Sequence, residues 1–301
     1  MRRATGLCAP NIGIGGYLGS AYAPVFVGSE KNHPAMDNFT PPEIYDFGDR
    51  SRLADRRALL GSIESNVLAR DARGADWADL REKGFDVMTR PDGREAFNLD
   101  REPATVRDRY GRHPLGQNLL LARRMVEAGV RFVTVNGWTG QAANDTAGPP
   151  SSSWDMHGGN MGMGDAFGNG SYGMGFCLPR LDQALSALLA DLKDRGMMEN
   201  TLVVAMGEFG RTPNVLTQLP PGRQHWPGCF SAIMAGAGIA GGQLYGKSNK
   251  YGEYPTHNPI RPEELAATIY HALDIPLNEP QNNSGISRPL NTGKPVLELF
   301  G

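Results

Sequence analysis

The feature that most constrains the fold of this sequence is an alternation of helical and strand-like stretches along the chain. Leu178 to Arg195 places leucines at helical spacing, and Gly196 is a typical end signal for such a helix. The run 201–206 follows almost at once and is nearly all apolar, which is typical of a strand buried on both faces. This order predicts an α/β fold with three layers, in which helices flank a mainly parallel sheet.

The remaining predicted elements extend the same alternation, since apolar residues recur at helical or strand spacing in each. They are helices over 49–71, 75–89, 114–128 and 262–273, and strands over 130–135 and 230–235. No internal repeat and no clean shift of composition divides the sequence. We therefore expect one domain over residues 1–301.

Composition excludes several classes of protein. The formal net charge of -2 offers no basic surplus for nucleic acid, and no apolar stretch approaches the roughly 20 residues that span a bilayer. Arg2 and Arg3 have no apolar stretch behind them, so we expect no signal peptide in the chain as given. The 3 cysteines stand far apart, which favours free thiols over a disulfide framework or a cysteine zinc site. Oligomeric state is not specified by these features.

Three polar strings border the predicted strands, and strand ends are where α/β sheets bind ligands. Asp155 and His157 lie in the long loop after the 130–135 run, Glu208 and Arg211 follow the 201–206 run, and His225 precedes the 230–235 run. Carboxylates, imidazoles and an arginine are the components of a metal-assisted ester hydrolase.

Each of these strings also has a simpler interpretation. Asp155 could hold His157 by a hydrogen bond, Glu208 could pair with Arg211 and only stabilise the loop, and His225 could be a packed loop histidine. The coincidence of all of them at the borders of predicted strands favours the hydrolase.

The string Leu-Val-Val-Ala-Met-Gly-Glu-Phe-Gly-Arg-Thr-Pro at 202–213 resembles the signature of the DUF1501 family, a branch of the alkaline phosphatase and sulfatase superfamily. Further likenesses cover nearly the whole chain and occur in the family's order. They lie at 107–111, 120–124, 154–157, 225–227, 235–246 and 262–270.

The resemblance implies an alkaline phosphatase-like fold and a metal-dependent hydrolase of phosphate or sulfate esters. Asp155, His157, Glu208 and His225 would then bind a divalent metal, zinc or calcium, and Arg211 would neutralise the anionic ester. The ligand would be a small anionic ester or a sulfated or phosphorylated glycan. The resemblance also implies an exported protein of the periplasm or cell envelope.

Two departures from the family pattern support an alternative. Glu208-Phe209 stands where related phosphatases carry an Asp-His pair, and the chain is expected to lack the family's N-terminal first strand with its Asp-containing motif. The nucleophile and one metal ligand would be missing with that segment. The alternative is therefore a non-catalytic or truncated family member that binds an anionic ligand or glycan.

Overall fold

A computed structural model describes the chain in nine stretches that together include all three polar strings. They are residues 24–29, 31–40, 51–64, 95–140, 154–158, 174–217, 221–278, 280–283 and 286–301. The predicted helix over 75–89 lies outside these residues, and the helix predicted over 49–71 is described from 51 to 64.

The described residues form five α-helices and eight short strands. The helices are α1 (Ser51–Glu64), α2 (Ala104–Tyr110), α3 (Pro114–Glu127), α4 (Met174–Asp194) and α5 (Pro262–Ala272). The strands are β1 (Val203–Met206), β2 (Gly210–Arg211), β3 (His225–Trp226), β4 (Ala232–Ala235), β5 (Lys247–Ser248), β6 (Pro255–His257), β7 (Pro280–Asn283) and β8 (Ile286–Pro289).

The chain divides into two compact units. Unit 1 comprises Met1–Asp108 and Arg112–Asn136, and unit 2 comprises Arg109–Gly111 and Gly137–Gly301. The single domain over 1–301 stays a prediction.

Helix α3 of unit 1 confirms the predicted helix over 114–128. Residues at its two ends determine where it begins and where it stops. His113 caps it by accepting a hydrogen bond at Nδ1 from the Gly116 N–H at 3.2 Å, and Pro114 occupies the first turn, where its missing N–H costs nothing. Gly129 ends it with a φ of 93°, a left-handed conformation that glycine adopts without strain. Its leucines Leu115 and Leu120 are buried.

Unit 1 also buries a cluster of charges. Glu102 pairs with Arg123 at 2.8 Å and with Arg124, and Arg123 also pairs with Glu127 at 2.7 Å. Burial raises the pKa of the Glu102 carboxyl, but the hydrogen bonds and charges of Arg123 and Arg124 together outweigh burial, so the net pKa is lowered. The ionised form of Glu102 is therefore the form that unit 1 stabilises.

The strand predicted over 130–135 is wrong. Residues 130–136 form no strand, and the Phe132 side chain is 74% exposed. A β-branched run forms a strand only beside another strand, and the described residues of unit 1 offer nothing longer than an isolated bridge between Ser29 and Asn32.

Helix α4 of unit 2 confirms the predicted helix and begins four residues earlier, with Pro179 inside it. Leu185, Leu188 and Leu192 are buried, as their spacing predicts. The buried Tyr110 hydroxyl donates a hydrogen bond to Asp191 Oδ2 at 2.9 Å. One face of α4 is thus part of the core of unit 2.

Helix α5 likewise confirms its prediction. Pro262 opens it, and the Arg261 backbone N–H donates to Glu264 Oε2 at 2.8 Å, which satisfies a backbone donor at the start of the helix.

Among the described residues no helix is long and apolar enough to cross a membrane.

The sheets seen in the described residues are four antiparallel pairs: β1 with β4, β2 with β3, β5 with β6 and β7 with β8. The fold is therefore mixed helix with small antiparallel sheets, and the mainly parallel three-layer sheet stays a prediction. The expected burial of 201–206 on both faces is wrong, because Met206 is 48% exposed and the rest of β1 is half-buried. A two-stranded ribbon of this size leaves apolar side chains partly in solvent.

Candidate functional site

The short strands β2 and β3 bring Arg211 and His225 together. Arg211 and His225 are direct partners in this antiparallel pair, so their side chains leave the ribbon on the same side. Gly210 pairs with Trp226, and a Cβ at position 210 would lie 1.9 Å from the Cys229 carbonyl oxygen. The close approach of backbone at this point therefore requires glycine.

The loop 154–158 presents His157 through its contact with Asp155. Asp155 Oδ1 accepts the His157 backbone N–H at 2.9 Å and lies 2.8 Å from His157 Nδ1. Because an ionised carboxylate only accepts hydrogen bonds, the geometry assigns the donor role on this side of the ring to Nδ1. Trp154 Nε1 donates to the Gly137 carbonyl and so anchors the start of the loop.

Arg211 meets His157 at the other ring nitrogen. Its NH1 lies 3.2 Å from His157 Nε2, and its NH2 donates to Glu208 Oε1 at 3.4 Å. Glu208 is 54% exposed, so its pairing with Arg211 is long and solvent-screened and contributes little stability. The Arg211 guanidinium thus has a weak acidic partner, Glu208, and the Nε2 atom of His157 beside it.

His225 completes the group with contacts between rings. Its ring centre lies 4.8 Å from that of His157, edge to face, and 4.6 Å from that of Phe209. We call the five residues Asp155, His157, Glu208, Arg211 and His225 the Arg211 cluster. All five residues predicted from the sequence therefore lie in one connected group.

The simpler interpretations of these strings are visible in the same geometry. Asp155 holds His157, Glu208 pairs with Arg211, and His225 packs against two rings. The role of four of these residues as metal ligands stays a prediction.

The residues that the structure describes do not by themselves complete a metal site. No three or more of their His, Cys, Asp and Glu side chains are placed to share an ion. His157 Nε2 faces a guanidinium instead, and Asp155 Oδ1 is engaged by the His157 ring.

Sequence reasoning missed three residues that build the cluster. Phe209 packs beside His225 with its ring 5.7 Å from the Arg211 guanidinium carbon. Gly222 lies against the His157 loop, and Arg223 contacts both that loop and the residues that follow Arg211. The Pro-Pro-Gly string at 220–222 was a turn signal. Its importance depends on distant residues, which a local pattern does not show.

A family model described as "Protein of unknown function (DUF1501)" matches residues 9–300 of the chain. The chain belongs to the DUF1501 family. Comparisons of this DUF1501 chain with curated proteins and with solved structures found no match. The family description names no activity, so the assignment to the alkaline phosphatase and sulfatase superfamily stays a prediction.

Chemically, the Arg211 cluster offers hydrogen-bond donors to an anion. The guanidinium has a planar fork that matches two oxygens of a phosphate or sulfate group. His225 is exposed and can donate from its ring when its nitrogen is protonated. These donors belong to elements held together by backbone hydrogen bonds.

Proposed function

We propose that this chain binds the anionic group of a phosphate or sulfate ester at the Arg211 cluster. The observation behind the proposal is the pairing of Arg211. Among the residues that the structure describes, its acidic partner is the exposed Glu208, at 3.4 Å. An incoming oxyanion can displace so weak a partner and accept two parallel hydrogen bonds from the guanidinium. The anionic group can belong to a small ester or to a sulfated or phosphorylated glycan.

The neighbouring rings support the same ligand. His157 presents Nε2 to the Arg211 guanidinium, and His225 lies beside both on the same face of the β2–β3 ribbon. Phe209 adds an apolar wall, which strengthens a charged hydrogen bond by excluding water from one side.

The test is calorimetric titration of the purified chain with inorganic phosphate and, separately, with inorganic sulfate. Arg211→Met removes a charged donor pair, and we expect affinity to fall by roughly 10- to 100-fold, since such hydrogen bonds are worth about 1.5–3 kcal/mol. Arg211→Lys keeps the charge without the fork and should bind with intermediate affinity. Glu208→Gln removes the competing carboxylate and should bind more tightly than the natural chain.

Arg112→Met is the matched control, because Arg112 is a surface arginine paired with an acid, Asp108, at 2.6 Å. It removes the same charge from the protein and should leave phosphate affinity unchanged. Equal losses in the Arg112 and Arg211 variants would show a general charge effect and would contradict the proposed site.

Hydrolysis of the bound ester with a divalent metal is the second candidate. The Asp155–His157 hydrogen bond favours it, because a carboxylate on Nδ1 commonly orients a histidine whose Nε2 binds zinc. This candidate includes the alkaline phosphatase-like fold with a parallel sheet and export to the periplasm or cell envelope, both of which rest on the resemblance.

The same preparations decide between the two candidates. With added zinc or calcium, the hydrolase candidate predicts bound metal that falls in Glu208→Ala and in His225→Ala, together with release of nitrophenol from nitrophenyl phosphate or sulfate. Phosphate binding without bound metal or turnover would leave the protein as an anion-binding member of its family.

A further inference from the structure

His157 and Arg211 lie 54 residues apart in the sequence, yet their side chains meet at 3.2 Å. The loop 154–158 has no regular secondary structure, and β2 is two residues long. Neither element is long enough to fix that distance from its own hydrogen bonds. A third segment, residues 222–225, contacts both of them.

On one side this segment lies directly against the loop of His157. The Arg223 backbone N–H donates to the Met156 carbonyl oxygen at 2.8 Å. A Cβ at position 222 would lie 1.8 Å from the His157 carbonyl oxygen and 2.8 Å from the Gly158 nitrogen. No side chain fits between these backbones, so the spacing depends on Gly222.

On the other side the same segment holds the residues that follow Arg211. The Arg223 guanidinium donates from NH1 to the Thr212 carbonyl at 2.6 Å and to the Pro213 carbonyl at 2.7 Å. The Thr212 N–H donates to the Gln224 carbonyl at 2.9 Å, and the Gln224 N–H donates to Thr212 Oγ1 at 3.1 Å. Arg223 thus links Met156 on one side to Thr212 on the other.

We propose that Gly222 and Arg223 are positioning residues that set the distance between His157 and Arg211 and thereby build the anion site in advance of its ligand. The proposal rests on the proposed function for its ligand, although the contacts themselves are independent of it. Neither residue touches the anion. Both act through backbone that carries the residues which do, and small displacements of such groups weaken binding strongly.

The experiment compares Gly222→Ala, Arg223→Met and Arg223→Lys with a matched control, Gly241→Ala. Position 241 has nothing within 4 Å of an added Cβ, so this control makes the same chemical change without a clash. Two readouts are needed: phosphate and sulfate affinity by calorimetry, and hydrogen–deuterium exchange of the backbone over 154–158. Circular dichroism checks that each variant is folded.

We expect Gly222→Ala and Arg223→Met to bind phosphate about tenfold more weakly and to exchange faster over 154–158. Arg223→Lys can still donate to a carbonyl and should recover part of the phosphate affinity and part of the protection over 154–158. Gly241→Ala should match the natural chain in both readouts. If Gly222→Ala does not fold, the comparison of Arg223→Met with Arg223→Lys still tests the positioning role.

Two results would overturn the positioning role. One is exchange over 154–158 that is the same in Arg223→Met as in Gly241→Ala. The other is a folded Arg223→Met with a lowered Tm and unchanged phosphate affinity, which is the result of a purely structural contact. If the natural chain binds neither phosphate nor sulfate, the proposed function fails, and the exchange data still decide whether residues 222–225 hold the loop.

Discussion

Replacing Glu102 with glutamine removes the negative charge that pairs with two arginines in unit 1. The Arg123 side chain is 0% exposed and that of Glu102 is 5% exposed, so solvent cannot replace the lost partner. Removing one partner of a buried pair costs about 3–5 kcal/mol, because the remaining charge is left uncompensated. Arg123 keeps Glu127 at 2.7 Å, which places the expected loss near the lower end, at about 3 kcal/mol.

The assay is urea unfolding followed by circular dichroism, with the free energy of unfolding obtained by linear extrapolation. Glu127→Gln is the matched control: it removes the same group from the same arginine, but Glu127 is 45% exposed and should contribute at most about 1 kcal/mol. Equal losses of the free energy of unfolding in the two variants would show that the buried pair contributes no more than the exposed one.

At acid pH, the free energies of unfolding of the natural chain and of Glu102→Gln should become more similar. The folded-state pKa of Glu102 is lowered: burial opposes the shift, but the hydrogen bonds and charges of Arg123 and Arg124 outweigh it. The stability that ionised Glu102 contributes is therefore complete above the unfolded pKa, roughly 4.3, and is lost as pH falls through the lower folded value. A difference that is unchanged by acid would assign the loss to packing instead of charge.

Two substitutions in unit 2 test the core around α4. Leu185→Ala removes a buried leucine and should lower the free energy of unfolding by about 2–5 kcal/mol. The control Ser186→Ala, on the exposed side of α4, should change it by about 0.5 kcal/mol or less. Similar values for the two variants would mean that α4 does not bury this face. Tyr110→Phe removes the buried hydrogen bond to Asp191 and should cost about 1–2 kcal/mol in thermal unfolding, and an unchanged Tm would mean that the bond contributes nothing in solution.

The helices were predictable because their signals are local. Pro114 and Gly129 mark the two ends of α3, and the leucine spacing of α4 defines its buried face. The 130–135 run has an equally clear β-rich composition, but a strand depends on pairing with a neighbouring strand, which can be distant in sequence. Local composition therefore predicted α-helices better than strands in this chain.

The members of the Arg211 cluster were predictable for a similar reason. Asp155 with His157, and Glu208 with Arg211, are close in sequence, so their polar character is visible as short strings. The strings were expected to meet at the ends of predicted strands, but the backbone contact that joins them was not predictable, because it depends on how Gly222 lies against the His157 carbonyl. The polar residues can be identified from the sequence, whereas the backbone contact that brings them together is visible only in the structure.

The two tightly packed glycines also give a criterion for deciding which other DUF1501 sequences can share this arrangement. A relative could carry an arginine and a histidine at the corresponding positions and still be unable to bring them together. Side chains in place of Gly210 or Gly222 would collide with the Cys229 and His157 carbonyl oxygens, at 1.9 and 1.8 Å. Transfer of the site between family members should therefore be judged first on these two uncharged positions and only then on the charged ones.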